Sequence, residues 1–94
     1  MAADAAQIWR DYFARWPADV ERRGVVVTAF GEQIPFESFS TSPDLLLIER
    51  RTPDTVGARS VIVPYGSIAG LKLVDVIKAK TFQAMGFTLP AARK

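Results

Sequence analysis

Glu32-Gln-Ile-Pro-Phe-Glu-Ser-Phe-Ser-Thr-Ser-Pro-Asp-Leu-Leu-Leu-Ile-Glu49 and Val61-Ile-Val-Pro-Tyr-Gly-Ser-Ile-Ala-Gly-Leu-Lys-Leu73 decide the fold of this chain. Both are dense in Val, Ile, Leu and Phe, and both repeat on a short period rather than a helical one. They read as strands. In the first, Ile34 and Phe36 alternate with polar neighbours, and then Phe39 falls out of phase. A change of phase within one strand is what a β-bulge or a sharp bend produces. Pro35 has no N–H to give a ladder, so it belongs at an edge or a bulge. Ser42-Pro43-Asp44 reads as a turn, and residues 45–51 as a third strand, apolar on both faces until Glu49. The second stretch contains a fourth strand over residues 59–63, a one-turn corner at Pro64-Tyr65-Gly66-Ser67, and a fifth strand over residues 68–74.

Upstream, residues 25–30 form the first strand, whose three consecutive valines imply burial on both faces at one end, and Gly31-Glu32 turns the hairpin. Residues 52–58, Thr-Pro-Asp-Thr-Val-Gly-Ala, form a loop. The expected fold is mainly β with α. An N-terminal helix precedes a strongly bent five-stranded antiparallel barrel, and a short C-terminal helix follows. A chain of 94 residues has room for one core. Residues 1–94 are therefore one domain, divided into a helical segment (1–23), the barrel (24–74), and a helix with a tail (75–94).

Asp4 and Gln7, three apart, have the spacing of a capping box. Ile8, Trp9, Tyr12, Phe13 and Trp16 then share one helical face. That face could stack bases or cover a ligand, but docking on the core is the simpler reading. Asp11 and Arg15 lie four apart and can pair. Pro17 ends the helix at Trp16 and can open a second short one over residues 17–23, with Gly24 as its C-cap. Beyond Asp75, Val76, Ile77, Lys80, Thr81, Ala84 and Met85 suit a helix stopped by Gly86. Phe87 and Leu89 fold back on the barrel, and residues 90–94 form a tail.

Composition excludes several kinds of chemistry. The chain is 49% hydrophobic and 23% charged, which suits a folded globule rather than a disordered one. It contains no Cys and no His, so disulfides, thiolate zinc sites, cysteine nucleophiles and imidazole bases are all absent. Glu32, Glu37, Asp44 and Asp54 lack metal-ligand spacing, and Gly66-Ser67 is not a nucleophile elbow. We expect no enzyme: no catalytic residue, metal, cofactor or small-molecule substrate. No apolar stretch approaches the roughly 18–20 residues of a membrane span, and a cytoplasmic protein is the expectation.

The net charge of +2 is segregated along the chain. Residues 24–49 carry Glu32, Glu37, Asp44 and Glu49 with no cation. Residues 50–94 carry Arg50, Arg51, Arg59, Lys72, Lys78, Lys80, Arg93 and Lys94 against Asp54 and Asp75. Such a distribution suits either a solvated mixed surface or a polyanion-binding patch.

The layout and spacing resemble the Sm and Sm-like RNA-binding proteins, which include the bacterial Hfq chaperone. The first Sm motif runs aromatic, aspartate, two loose positions, hydrophobic, asparagine, then aliphatics. Here the corresponding stretch is Phe39, Ser40, Thr41-Ser42, Pro43, Asp44, Leu45-Leu46-Leu47. The second motif runs aliphatic, arginine, glycine, two small or polar residues, then aliphatics. Here it is Val63, Pro64, Tyr65, Gly66-Ser67, Ile68, with Leu71 further on. The resemblance spans residues 24–74. Ser40 stands where the family has aspartate, Asp44 where asparagine reads a base, and Pro64-Tyr65 where arginine-glycine stands.

The resemblance implies a homo-oligomeric ring closed by pairing the fourth strand of one subunit with the fifth of the next. Arg59, Val61, Val63, Ala69, Leu71 and Leu73 would carry that interface. It also implies single-stranded RNA as a partner, with Ser40, Asp44, Tyr65 and Gly66 near the base-reading loops and Arg10, Arg15, Arg22 and Arg23 or Lys72 on the other face or the rim. The alternative is a structural or assembly module that keeps the barrel and does not bind RNA. A third reading is a small SH3-like or PRC-type adaptor.

Overall fold

A computed structural model describes residues 4–90. The chain is mainly β, with α1 (Ala5–Ala14), β1 (Gly24–Thr28), β2 (Gln33–Phe36), β3 (Ser38–Thr41), β4 (Leu45–Glu49), β5 (Ser60–Pro64), a 3-10 turn (Tyr65–Ser67), β6 (Ile68–Lys72) and α2 (Ala79–Ala84). The strands form two three-stranded antiparallel sheets, β2–β1–β6 and β3–β4–β5. They do not close into a barrel, because among the described residues β5 and β6 share no ladder. Six strands stand where five were expected, and the reason is the bend. β2 and β3 are separated by Glu37 alone, whose N–H donates to the Glu49 carbonyl at 2.9 Å. Ile34 and Phe36 face inward, Glu37 and Ser38 outward, and Phe39 inward again. The phase change thus passes the chain from one sheet to the other, so that two faces enclose one core.

That core draws on both sheets and on the N-terminal segment. Val26, Ile34, Phe36, Phe39, Leu46 and Ile48 come from the strands, with Phe13 and Trp16 added from above. The Phe13 ring meets Phe39 edge-on at 5.0 Å and stacks on Trp16 at 5.8 Å. Edge-to-face and offset aromatic pairs favour such separations. Asp4 caps α1 by accepting the Gln7 N–H at 2.8 Å, as its spacing implied.

The connection into β1 departs from expectation. No helix forms over residues 17–23. Val20 N–H donates to the Pro17 carbonyl at 3.2 Å to make a turn, and the buried Trp16 indole N–H donates to the Val20 carbonyl at 3.1 Å. A buried indole needs an acceptor, and the turn supplies one that a helical carbonyl would have spent internally. The expected Asp11–Arg15 ion pair is also absent. Arg15 Nε reaches the Asp11 carbonyl at 3.4 Å, while the Asp11 carboxylate faces Arg10 at 3.5 Å.

Gly24 is the first residue of β1 and not a helix cap. A β-carbon there would stand 2.5 Å from the Lys72 carbonyl oxygen, so β6 approaches the glycine too closely for any side chain. Gly24→Ala is expected to destabilise the fold by about 1–3 kcal/mol, as overpacking against backbone does, with urea denaturation as the measurement.

The turns follow their residues. Thr28 closes the β1–β2 hairpin by exchanging backbone bonds with Glu32 and Gly31, and Gly31 takes φ +86°. In the loop after β4, the Asp54 carboxylate accepts the N–H groups of Val56 (2.9 Å) and Ala58 (2.8 Å), and Gly57 takes φ +87°. Past β6 the chain runs on without regular structure and bends at Asp75, instead of entering a helix there. Leu73, Asp75 and Ile77 turn inward while Val74 and Val76 face solvent, and α2 begins only at Ala79. No helix among the described residues is long and apolar enough to cross a membrane. Residues 91–94 of the expected tail lie outside the described residues.

Candidate functional site

Of the residues singled out for RNA, Asp44 and Tyr65 border one hollow of about 190 Å³ together with Arg10, while Ser40, Gly66, Lys72, Arg22 and Arg23 do not line it. Tyr65, read as a stacking side chain, is 1% exposed, and its hydroxyl donates to the Ser42 carbonyl at 3.0 Å. Burial raises its pKa above the ordinary phenol value. Tyr65 therefore ties the β5–β6 corner to the β3–β4 turn, and cannot stack on a base in this conformation. Tyr65→Phe is expected to cost about 1 kcal/mol of stability, the net worth of one such bond, read from the denaturation midpoint. The sequence signal failed here because position alone does not distinguish a tyrosine pointing out of a corner from one plugging it.

Arg22 and Arg23 are both engaged. Arg22 lies over the Phe39 ring, its guanidinium carbon 4.5 Å from the centroid, and donates to the Phe39 carbonyl at 3.2 Å. Arg23 grips Asp75, its Nε donating to Oδ2 at 3.0 Å. This contact fastens the segment before β1 to the one after β6. Lys72 Nζ donates to the Gln33 amide oxygen at 3.0 Å across the outer face of the first sheet. Ser40, Asp44 and Gly66 are exposed, with Gly66 beneath Ala6 of α1.

Two carboxyl groups sit below their ordinary range. Asp54 is lowered first by the Ala58 N–H, and Asp75 first by its hydrogen bond from Arg23. A carboxylate whose folded pKa is depressed contributes stability above its unfolded pKa and loses it as pH falls through the folded value. Stability is therefore expected to fall with acid below about pH 4, where free carboxylates begin to protonate. The acid limb should flatten in Asp54→Asn and Asp75→Asn. Unfolding midpoints measured across pH check this.

The exposed features lie at the sheet edges and on two apolar surfaces. Among the described residues β5 pairs only with β4, and β6 only with β1, leaving one flank of each free. The outward flanks of β2 and β3 are already blunted: Pro35 has no N–H to offer, and Arg22 holds the Phe39 carbonyl. Of the residues assigned to an interface, Val63 is buried in the core and Val61 and Leu71 pack against it. Of these three, only Val61 and Leu71 keep part of their side chains exposed. Arg59 precedes β5 and is exposed, Ala69 is exposed on β6, and Leu73 lies just past it. The sequence reading passed over Ile62, which stands 62% exposed on β5. Its register partner Leu47, and Ser40 beyond it, complete an apolar-centred row across the second sheet.

The other surface is a groove of about 600 Å³ bounded by α1 through Ile8, Trp9 and Tyr12, and by Leu71 and Leu73 at the end of β6. Phe82, Phe87 and Leu89 of the C-terminal segment complete it. The aromatic stripe of α1 is thus divided: Phe13 and Trp16 enter the core, while Trp9 and Tyr12 are left half-buried beside the groove. Among the described residues no group of His, Cys, Asp and Glu side chains has an arrangement able to hold a metal ion.

Comparison with known proteins gives no match: no family model, no curated protein and no solved structure matches the chain.

Proposed function

We propose that this chain is an Sm-like self-association module, in which the free flank of β5 on one copy pairs with the free flank of β6 on the next and successive copies close a ring. The carrying observation is that, among the described residues, two of the four edge strands, β5 and β6, have open flanks, while those of β2 and β3 are blunted. An edge presents a row of N–H and C=O groups that another strand can satisfy, and small proteins either blunt such edges or use them. β5 and β6 carry neither proline inside the strand nor a bulky charged cover: proline occurs only at the last residue of β5, and Lys72 only at the last of β6. A head-to-tail contact of this kind makes a closed ring when its rotation closes. The strand order, with one bent strand shared between two sheets, supports the Sm-like reading.

Association rather than RNA reading is the activity the side chains favour. Tyr65 is buried, Arg22 and Arg23 are spent on internal partners, and Asp44 brings negative charge to the turn where a base would lie. Light scattering at micromolar concentration should give a mass that is a whole multiple of 10.4 kDa. A single-chain mass overturns the proposal. An RNA-shift series across salt separates the two activities. An affinity falling steeply with salt, the mark of counterion release, would restore RNA binding; no shift at low salt fits an assembly module.

A further inference from the structure

Beside the apolar groove lies a second hollow of different character. Tyr12 is common to both, and the second, about 190 Å³, is lined further by Arg15, Pro17, Ala84 and Met85. No charged side chain lines the larger groove. Arg15, at the far side of Tyr12, makes no ion pair among the described residues; its Nε reaches only the Asp11 carbonyl, at 3.4 Å. The surface therefore offers an apolar trough and, across Tyr12, an exposed arginine that makes no ion pair among the described residues. Pockets for small ligands run roughly 300–1,000 Å³ and combine apolar walls with a few polar groups that fix orientation.

We propose that this trough binds a free fatty carboxylate, its acyl chain along Trp9, Leu71, Leu73 and Phe87 and its head group at Arg15. The choice rests on charge complementarity. The apolar wall suits a hydrocarbon chain, and the guanidinium suits an anion. A carboxylate at the end of a chain satisfies both parts at once. This ligand goes beyond the association of the β5 and β6 edges and does not depend on it.

Titration of the full chain with decanoate, dodecanoate and tetradecanoate, each below its micellar concentration, reads binding by calorimetry and by the combined fluorescence of Trp9 and Trp16. Dodecanol and dodecyltrimethylammonium serve as the uncharged and cationic controls. The expected result is saturation at one carboxylate per chain, with affinity rising by up to about fourfold for each added methylene, the gain from burying it. Arg15→Gln, at an exposed position, should weaken dodecanoate about threefold, as loss of an exposed ion pair does, and leave dodecanol unchanged. Phe87→Lys, at a half-exposed position, should abolish binding of all three carboxylates while the protein stays folded by circular dichroism. Absence of saturable binding overturns the proposal, and so does equal affinity for carboxylate, alcohol and ammonium. A fluorescence change that follows protein dilution and ignores the carboxylates would assign the groove to a second copy and overturn it as well.

Discussion

Phe13→Ala is expected to destabilise the protein by about 3–5 kcal/mol, the cost of removing a fully buried aromatic ring and leaving its cavity. Phe13 has no exposed surface, and its ring touches those of Trp9, Trp16 and Phe39. It is the residue through which α1 joins the sheets. A small domain has only about 5–15 kcal/mol in total, so the variant should sit near the edge of folding. Urea denaturation should show a much lower midpoint. Ile8→Ala, on the same helix but 52% exposed, should change the midpoint little. Equal effects at the two positions would mean that α1 does not dock as described.

The second large effect concerns assembly. Ile62→Lys combined with Ala69→Lys is expected to reduce the solution mass to that of one chain, 10.4 kDa. Ile62 projects from β5 and Ala69 is exposed on β6, so neither substitution enters the core. Facing lysines on paired strands repel, and a lysine on an edge is the usual guard against strand addition. Light scattering reads the mass and urea denaturation checks that the subunit remains folded. A variant that keeps the parent's multimeric mass would place the contact elsewhere, away from Ile62 and from the face it shares with Leu45 and Leu47.

Much of this fold is legible in the chain, and the misses have physical causes. The inward facing of both Phe36 and Phe39 marks a bend at Glu37, because only a phase change lets both reach one core. Asp4, Ser42, Asp54 and Gly86 announce their cap, turns and stop through local hydrogen bonding or backbone freedom, which need no distant partner. The segment 17–23 misleads because Pro17 is equally at home in a turn and at a helix start, and the buried Trp16 indole settles the matter from outside it. Leu73 to Ile77 alternates in burial but not in hydrophobicity: Val74 and Val76 are apolar yet face solvent, so the sequence carries no period of two to set against a helical reading from Asp75.

The site was less legible than the fold. Tyr65 and Arg23 owe their roles to partners 23 and 52 residues away, and no local pattern reveals whether a tyrosine or an arginine is already satisfied. The groove is hidden for the same reason. Its walls come from α1, the end of β6 and the C-terminal segment, and each wall alone looks like ordinary core.

Backbone amide hydrogen exchange at β5 and β6 tests the edge-pairing account most directly. In the assembled protein, the outward N–H groups of Ser60–Pro64 and Ile68–Lys72 should exchange slowly. On dilution, or in the Ile62→Lys/Ala69→Lys variant, those amides should speed up while β1 and β4, the central strands of the two sheets, stay protected. Outward amides on β5 and β6 that exchange equally fast at high and low concentration would contradict the account, because their hydrogen bonds would then be made to water and not to a neighbouring copy.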